Sequence, residues 1–137
     1  MAFMGYLIKV GNKEIPTKYI AESSYYATPC QRQDLDSYRD NTGVLHRDVV
    51  DNRPSKVEFK TMEGLTEEEV TSIWGIFKAN FASEKEMKAQ IEFYDPLTGA
   101  YMTESMYLKN PKVQIDYIDR ETSVVYYKSI QFVLTGY

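Results

Sequence analysis

Acidic residues crowd one segment of the chain and are the first candidates for chemistry. Residues 31–53 hold five aspartates and four arginines, which alternate in sign: Asp34, Asp36, Asp40, Asp48, Asp51, Arg32, Arg39, Arg47 and Arg53. Paired carboxylates can serve as general acid and general base, and His46 lies in the same segment. The interleaved arginines favour a salt-bridged or partner-facing surface instead, so we expect no enzyme. A small enzyme that uses these aspartates is the competing interpretation.

Metal and cofactor sites are not expected from the residue types. Asp34 and Asp36 begin like a calcium loop, but Tyr38 and Arg39 stand where an EF-hand needs Asp or Asn and then Gly, and Leu45 replaces its bidentate Glu. One histidine and one cysteine are too few for a His/Cys zinc site. The chain also lacks a glycine-rich phosphate loop, Gly-x-Ser-x-Gly, Cys-x-x-Cys and His-Glu-x-x-His. We therefore expect no catalytic residues, no cofactor and no bound metal.

The charged segment is predicted to be a long polar hairpin, spanning about residues 31–53. Asp40-Asn41-Thr42-Gly43 is typical of a turn, because Asn and Gly tolerate positive φ. Arms of about ten residues on either side would extend roughly 33 Å at the rise of a β-strand. So polar a hairpin has no core of its own, and we expect it to project into solvent or lie along a partner.

One amphipathic helix is predicted at about residues 66–82. Thr66 is a candidate N-cap, and Glu69, three residues later, completes the pattern of a capping box. The apolar residues that follow recur at helical spacing: Val70, Ile73, Trp74, Phe77 and Phe81. Such a helix needs a sheet to cover, so its apolar face predicts a helix packed on strands.

The flanking segments are predicted to be strands. Val57 and Phe59 alternate with charged residues, and 124–135 reads as one long closing strand. We predict a mainly β (α+β) fold, a β-sandwich or split barrel of antiparallel strands with one flanking helix, in a single domain over residues 1–137. The residues assigned to the core rather than to a site are Val57, Phe59, Trp74 and Phe77.

Composition excludes several classes of function. The formal net charge is −4 and the sequence pI is about 5.1, which argues against a nucleic-acid binder because such a protein needs a basic patch. No apolar run approaches the length of a membrane span, and the N-terminus lacks a signal-peptide pattern. Cys30 is the only cysteine, so a reducing cytoplasm is the expected site of synthesis, with no membrane contact.

Four stretches in a fixed order resemble small tail proteins of bacteriophages that infect Gram-positive hosts. Residues 39–47 match an Arg-Asp-x-x-Gly-x-Leu-His-Arg hairpin, followed by a strand at 55–59 and a Leu-Thr-x-x-Glu helix start at 65–69. Residues 93–101 match Phe-Tyr-Asp-Pro-x-Thr-Gly-x-Tyr. The resemblance extends from Tyr6 to the C-terminal strand and includes the tail-tube fold of tube and distal tail (baseplate hub) proteins.

That resemblance implies a structural protein of a phage or prophage tail. A tube, distal ring or completion protein of this kind would assemble as a homo-oligomer, in a probable hexameric ring that stacks on other tail proteins. DNA would pass through the ring without specific binding, and the protein would be assembled in the bacterial host cytoplasm and reside in the virion. The residues expected at the subunit interface are Arg39, Asp40, His46, Arg47 and Asp48.

A second interpretation stays open beside the tail protein. Twelve tyrosines are present, and exposed ones could form the platform of a β-rich module that binds a host surface or a carbohydrate. The candidate platform residues are Tyr25, Tyr26, Tyr126 and Tyr127. Self-association that depends on the charged hairpin distinguishes the two interpretations, because a binding module would stay monomeric.

Overall fold

The computed structural model describes residues 3–30, 38–46 and 54–137. These residues contain twelve strands and one α-helix, named in chain order. The strands are β1 (Ile8–Val10), β2 (Lys13–Glu14), β3 (Tyr26–Thr28), β4 (Tyr38–Arg39), β5 (Leu45–His46), β6 (Lys56–Lys60), β7 (Leu65–Thr66), β8 (Lys88–Asp95), β9 (Ala100–Leu108), β10 (Ile115–Asp119), β11 (Val124–Tyr127) and β12 (Gln131–Gly136). Helix α1 (Glu67–Asn80) follows β7, and two 3₁₀ turns, Thr17–Tyr19 and Glu22–Ser24, join β2 to β3.

The strands form antiparallel sheets, which confirms the predicted mainly β class. A seven-stranded sheet has the order β2-β1-β8-β9-β12-β6-β3, and a three-stranded sheet has the order β10-β11-β7. Strands β4 and β5 pair only with each other among the described residues. Within those residues the sheets remain open and do not close into a barrel.

The helix begins where the sequence predicts it. The Glu69 backbone N–H donates to Thr66 Oγ1 at 3.4 Å, and the Thr66 N–H donates to Glu69 Oε1 at 3.1 Å, so the capping box is present. The helix ends at Asn80, two residues before the predicted end, because Phe81 is extended. Ile73 and Phe77 are its fully buried residues.

A stack of aromatic rings joins the helix to the large sheet. Phe132 lies between Phe59 and Phe77, with ring centroids 5.2 and 5.5 Å away and nearly parallel planes. Phe59 on β6 and Phe132 on β12 are direct partners across the sheet. The inward alternation of Val57 and Phe59 is confirmed, since both are almost completely buried.

The assignment of Trp74 to the core is wrong. Its side chain keeps 36% of its surface exposed, whereas Phe77 is completely buried. Trp74 packs against Phe81 edge-to-face, with the centroids 6.0 Å apart, and lies at the border of the apolar face. Helical spacing shows which residues share one face of the helix, but the sheet beneath that face decides which of these residues are covered.

The predicted long closing strand is two strands in different sheets. Strand β11 pairs with β7 and β12 pairs with β6, so the closing segment divides where its partner segment turns between β6 and β7. Gly64 has a φ of +86° in that turn. At the division, Thr61 holds the chain: its Oγ1 accepts from the Ile130 N–H at 2.9 Å, and its carbonyl accepts from the Ser129 hydroxyl.

Only the tip of the predicted 31–53 hairpin lies within the described residues. Strands β4 and β5 flank the turn at 40–43, as predicted. Asp40 Oδ1 accepts from the backbone N–H groups of Thr42 and Val44, at 2.9 and 3.0 Å. Gly43, with a φ of +85°, donates to the Asp40 carbonyl and closes the turn. The arms at 31–37 and 47–53 lie outside the described residues.

Candidate functional site

An exposed apolar strand lies at one edge of the three-stranded sheet. Ile115, Tyr117 and Ile118 on β10 are between 44 and 54% exposed. Tyr117 and Ile118 are neighbours in a strand, so their side chains point to opposite faces and both faces present apolar surface. Apolar surface gathered on one strand is typical of an interaction site.

The edge of β10 also presents backbone hydrogen-bonding groups. On one side β10 pairs with β11, and no other described strand pairs with its second side. The register shifts between Ile115 and Tyr117, which bends the strand. Tyr117 stacks on Tyr126 of β11, with ring centroids 4.6 Å apart. A strand with these properties can accept another strand by edge pairing.

The sequence pattern of β10 did not indicate this exposure. The alternation of Val113, Ile115 and Tyr117 is that of a half-buried strand, yet all three side chains are exposed. The one available signal is Ile118, which breaks the alternation and makes both faces apolar. The apolar Ile118 could have distinguished β10 from strands whose second face carries charged residues.

The edge of the large sheet at β3 is polar, and the carboxylate beside it is paired within the chain. On β6, the Glu58 carboxylate pairs with Lys56 Nζ at 2.7 Å and accepts a hydrogen bond from the Tyr26 hydroxyl of edge strand β3. The hydrogen bonds from Lys56 and Tyr26 lower the pKa of Glu58 below its ordinary value, and the bond to Glu58 raises the pKa of Tyr26. The buried Glu58 carboxylate is therefore paired within the chain.

The structure brings two of the predicted interface residues together at the hairpin tip. Arg39 is exposed on β4, and one of its guanidinium N–H groups donates to the Gly43 carbonyl at 3.0 Å. Asp40 is half-buried and organises the turn. Arg39 lies directly across the pair from Leu45, so the two side chains share one face of the hairpin.

Of the other three predicted interface residues, only His46 lies within the described part of the chain. His46 belongs to β5, and its backbone pairs with Tyr38. Arg47 and Asp48 lie outside the described residues. Assembly through this set of five residues stays a prediction.

The hairpin segment leaves and rejoins the body at one place. Thr28 of β3 pairs with Lys56 of β6, and the Cys30 N–H donates to Ser55 Oγ at 2.9 Å. Residues 31–53 are therefore a long insertion between two paired strands, the edge strand β3 and its neighbour β6. A short turn could join the same strands without disturbing their register.

An apolar groove of about 450 Å³ lies beside the helix, and we call it the α1 groove. Its walls are the helix, the connector from β9 to β10, and the start of β12. Its main lining residues are Val70, Trp74, Met87, Pro111, Val113 and Phe132. Its size is that of pockets that bind ligands, about 300–1,000 Å³. The lining is almost entirely apolar, which favours an apolar occupant.

The candidate carbohydrate platform is dispersed. The Tyr25 hydroxyl donates to the Tyr94 carbonyl, and Tyr26 lies on the edge strand β3 with its hydroxyl on Glu58. Tyr126 and Tyr127 are half-buried on β11, in the other sheet. The structure therefore does not gather these four tyrosines into one surface.

Among residues 3–30, 38–46 and 54–137, no three His, Cys, Asp or Glu side chains lie together in a way that could hold a metal ion. No helix in the described part of the chain is both long and apolar enough to cross a membrane.

The fold and its surfaces define a mainly β protein whose candidate site is an exposed strand edge, with a separate two-stranded hairpin of mostly exposed residues. The chain belongs to DUF6711, a family of unknown function, which it matches over residues 1–137. No curated protein and no solved structure matches the chain.

Proposed function

We propose that this protein is a structural component of a phage or prophage tail. It acts by self-association into a ring, expected to be hexameric, that forms part of the conduit for DNA and contacts other tail proteins. Tube subunit, distal ring and completion protein are the roles within this class. The ordered resemblance of residues 39–47, 65–69 and 93–101 to such proteins supplies the biological context.

The exposed edge of β10 is the observation that carries the proposal. Ile115, Tyr117 and Ile118 present apolar side chains beside backbone groups that can pair with a further strand. Long exposed apolar edges are a liability in a protein that works alone, because they promote association. Here the same property serves a subunit whose function is to bind copies of itself.

Charge supports the second part of the proposal. The net charge of −4 suits a wall past which DNA moves, because like charge repels phosphate and keeps the duplex from adhering. The hairpin, with its alternating charges, has a place at a subunit contact, where charge pattern sets specificity and register.

The decisive experiment compares the full chain with a variant in which residues 31–53 are replaced by a short Gly-Ser turn. Light scattering and negative-stain microscopy across a concentration series measure mass and shape. We expect six-fold rings or tubes for the full chain and their loss in the variant. The control is Asn41→Ser at the exposed turn, which keeps the hairpin at full length and should assemble normally.

A full chain that stays monomeric at all concentrations would contradict self-assembly. The stacked pair Tyr117–Tyr126 is the observation that favours the alternative, a β-rich module that binds a host surface or a carbohydrate. That module predicts a stable monomer in both the full chain and the hairpin replacement, together with binding to cell-wall glycan.

A further inference from the structure

We infer that the α1 groove is the receptor for the hairpin tip of a second copy of this chain. This inference rests on the proposed self-assembly and adds the site at which one subunit receives the other. It names different surfaces for the two sides of the contact. Contacts of that kind join subunits head to tail, and they close into rings when the rotation between subunits permits.

The hairpin tip presents exposed apolar side chains in an otherwise polar segment. Val44 is 54% exposed and Leu45 is 43% exposed. Both lie on a hairpin whose described strands pair with each other and with no other described strand. Because neighbouring residues of a strand point to opposite faces, Leu45, which shares its face with Arg39, is the residue suited to insertion in a hollow of another surface.

The α1 groove is the apolar hollow that could receive Leu45. Trp74 and Val113 line the groove and keep apolar surface exposed, and Phe132 contributes to the lining as well. Filling the groove with aliphatic side chains removes apolar surface from water on both partners. Trp74, displaced from the core, thereby gains a role as a wall of the receptor.

Charge complementarity selects the hairpin among apolar occupants. A second hollow, lined by Glu67, Glu68 and Ser123, adjoins the groove, and Thr71 belongs to both. Glu67 and Glu68 are exposed in the first turn of the helix. The receptor is thus an apolar surface with two carboxylates at one end.

The hairpin carries the matching pattern on one face. Arg39 lies opposite Leu45 across the β4–β5 pair, so an arginine stands beside the leucine as the carboxylates stand beside the groove. A guanidinium has five N–H donors, so the bond from Arg39 to Gly43 leaves donors for a carboxylate of the partner. Leucine would enter the groove while arginine pairs with Glu67 or Glu68.

Cysteine cross-linking tests the contact directly. The variant Leu45→Cys with Val113→Cys, in a Cys30→Ser background, is oxidised under conditions in which the parent is assembled. We expect a ladder of disulfide-linked oligomers on a non-reducing gel, forming about ten-fold faster than in a matched control because the cysteines are held together. The control is Leu45→Cys with Thr103→Cys, since Thr103 is exposed on the other face of the large sheet.

A charge exchange provides the second measurement. Arg39→Glu should raise the concentration needed for assembly by about ten-fold, as expected for a lost charged pair at an interface. Adding Glu68→Arg to that variant should recover most of the loss, whereas Glu68→Arg alone should weaken assembly. Light scattering measures all three, and circular dichroism verifies that each variant is folded.

The outcomes separate this inference from the proposed function. Rings without a ladder, or with a cross-link only within one chain, would overturn the α1 groove as receptor and leave ring assembly standing. A ladder equal to that of the Thr103 control would also overturn it. A parent that remains monomeric overturns both proposals. Saturation of the groove by a small apolar compound with no effect on assembly would assign the groove to a ligand and overturn the contact.

Discussion

The two sheets of this protein contain similar apolar residues, which are buried in one sheet and exposed in the other. In the seven-stranded sheet, Phe59 and Phe132 are buried beneath Phe77 of the helix. In the three-stranded sheet, Ile115 and Tyr117 belong to an equally apolar strand, yet half of each side chain remains exposed. The exposure of these residues differs because helix α1 lies over the large sheet, whereas β10 is an edge strand that no described element covers.

This comparison separates apolar surface that is covered within the chain from apolar surface that remains exposed. Apolar side chains in the large sheet already have their contacts within the chain, and their loss should affect folding. Apolar side chains on β10 make few contacts within the chain, and their loss should affect association. The predictions that follow test this division, beginning with the largest effect.

Phe77→Ala should be the most destabilising change. It removes a completely buried ring from the aromatic stack, so the free energy of unfolding should fall by about 3–5 kcal/mol. Trp74→Ala, on the same helix, is the matched comparison and should cost roughly half as much or less because its ring is already part-exposed. Urea unfolding followed by circular dichroism measures both. Equal losses would mean that Trp74 belongs to the core after all.

Replacing the apolar side chains of β10 should affect assembly and spare the fold. Ile115→Thr with Ile118→Thr keeps β-branched residues in the strand, so the free energy of unfolding should change by no more than about 0.5 kcal/mol per site. The concentration needed for assembly should rise about ten-fold or more, since apolar contact with the partner is lost. Light scattering gives the second value.

The control for β10 is Leu97→Thr. Leu97 is 82% exposed in the turn between β8 and β9, so its replacement removes exposed apolar surface away from any proposed contact. It should assemble as the parent does. A β10 variant that assembles normally but unfolds more readily would reverse the division between the two sheets.

The pH dependence of stability tests the role of Glu58 in the large sheet. Because its folded pKa is lowered by Lys56 and Tyr26, its stabilisation is fully present above its ordinary pKa of 4.5 and is lost as pH falls through the folded value. Glu58→Gln should therefore lower stability at pH 7, and the difference from the parent should shrink below about pH 4.5. Urea unfolding at pH 7 and pH 3 measures it. Glu63→Gln, at an exposed site, is the charge-matched control, and a constant difference at both pH values would contradict the assignment.

Local features of this fold could be predicted from the chain itself. The capping box joins Thr66 to Glu69, and the turn at 40–43 depends on hydrogen bonds that Asp40 accepts from the backbone N–H groups two and four positions later. Val57 and Phe59 lie on the buried face because strand alternation and burial coincide there. Each of these features depends on neighbours within a few residues, which a sequence pattern records.

Other features depend on residues far apart in the chain. The closing segment divides into β11 and β12 because its partner turns at Gly64, some sixty residues earlier. Trp74 and Phe77 look equivalent in the helical pattern, but only the sheet beneath decides that Phe77 is covered. The candidate site on β10 was missed for the same reason, since its alternation indicates a half-buried strand and says nothing about cover.

The sequence alone determined the mainly β class, the position and start of the helix, the turn of the charged hairpin and two rings of the aromatic stack, Phe59 and Phe77. The physical reason is that capping, turn chemistry and periodic burial are encoded over a few residues. Only the tertiary structure decided which apolar residues stay uncovered: Trp74 at the α1 groove, Val44 and Leu45 at the hairpin tip, and Ile115, Tyr117 and Ile118 on β10. Exposure depends on which elements pack together, and that packing places residues distant in the chain against each other or leaves them open to a partner.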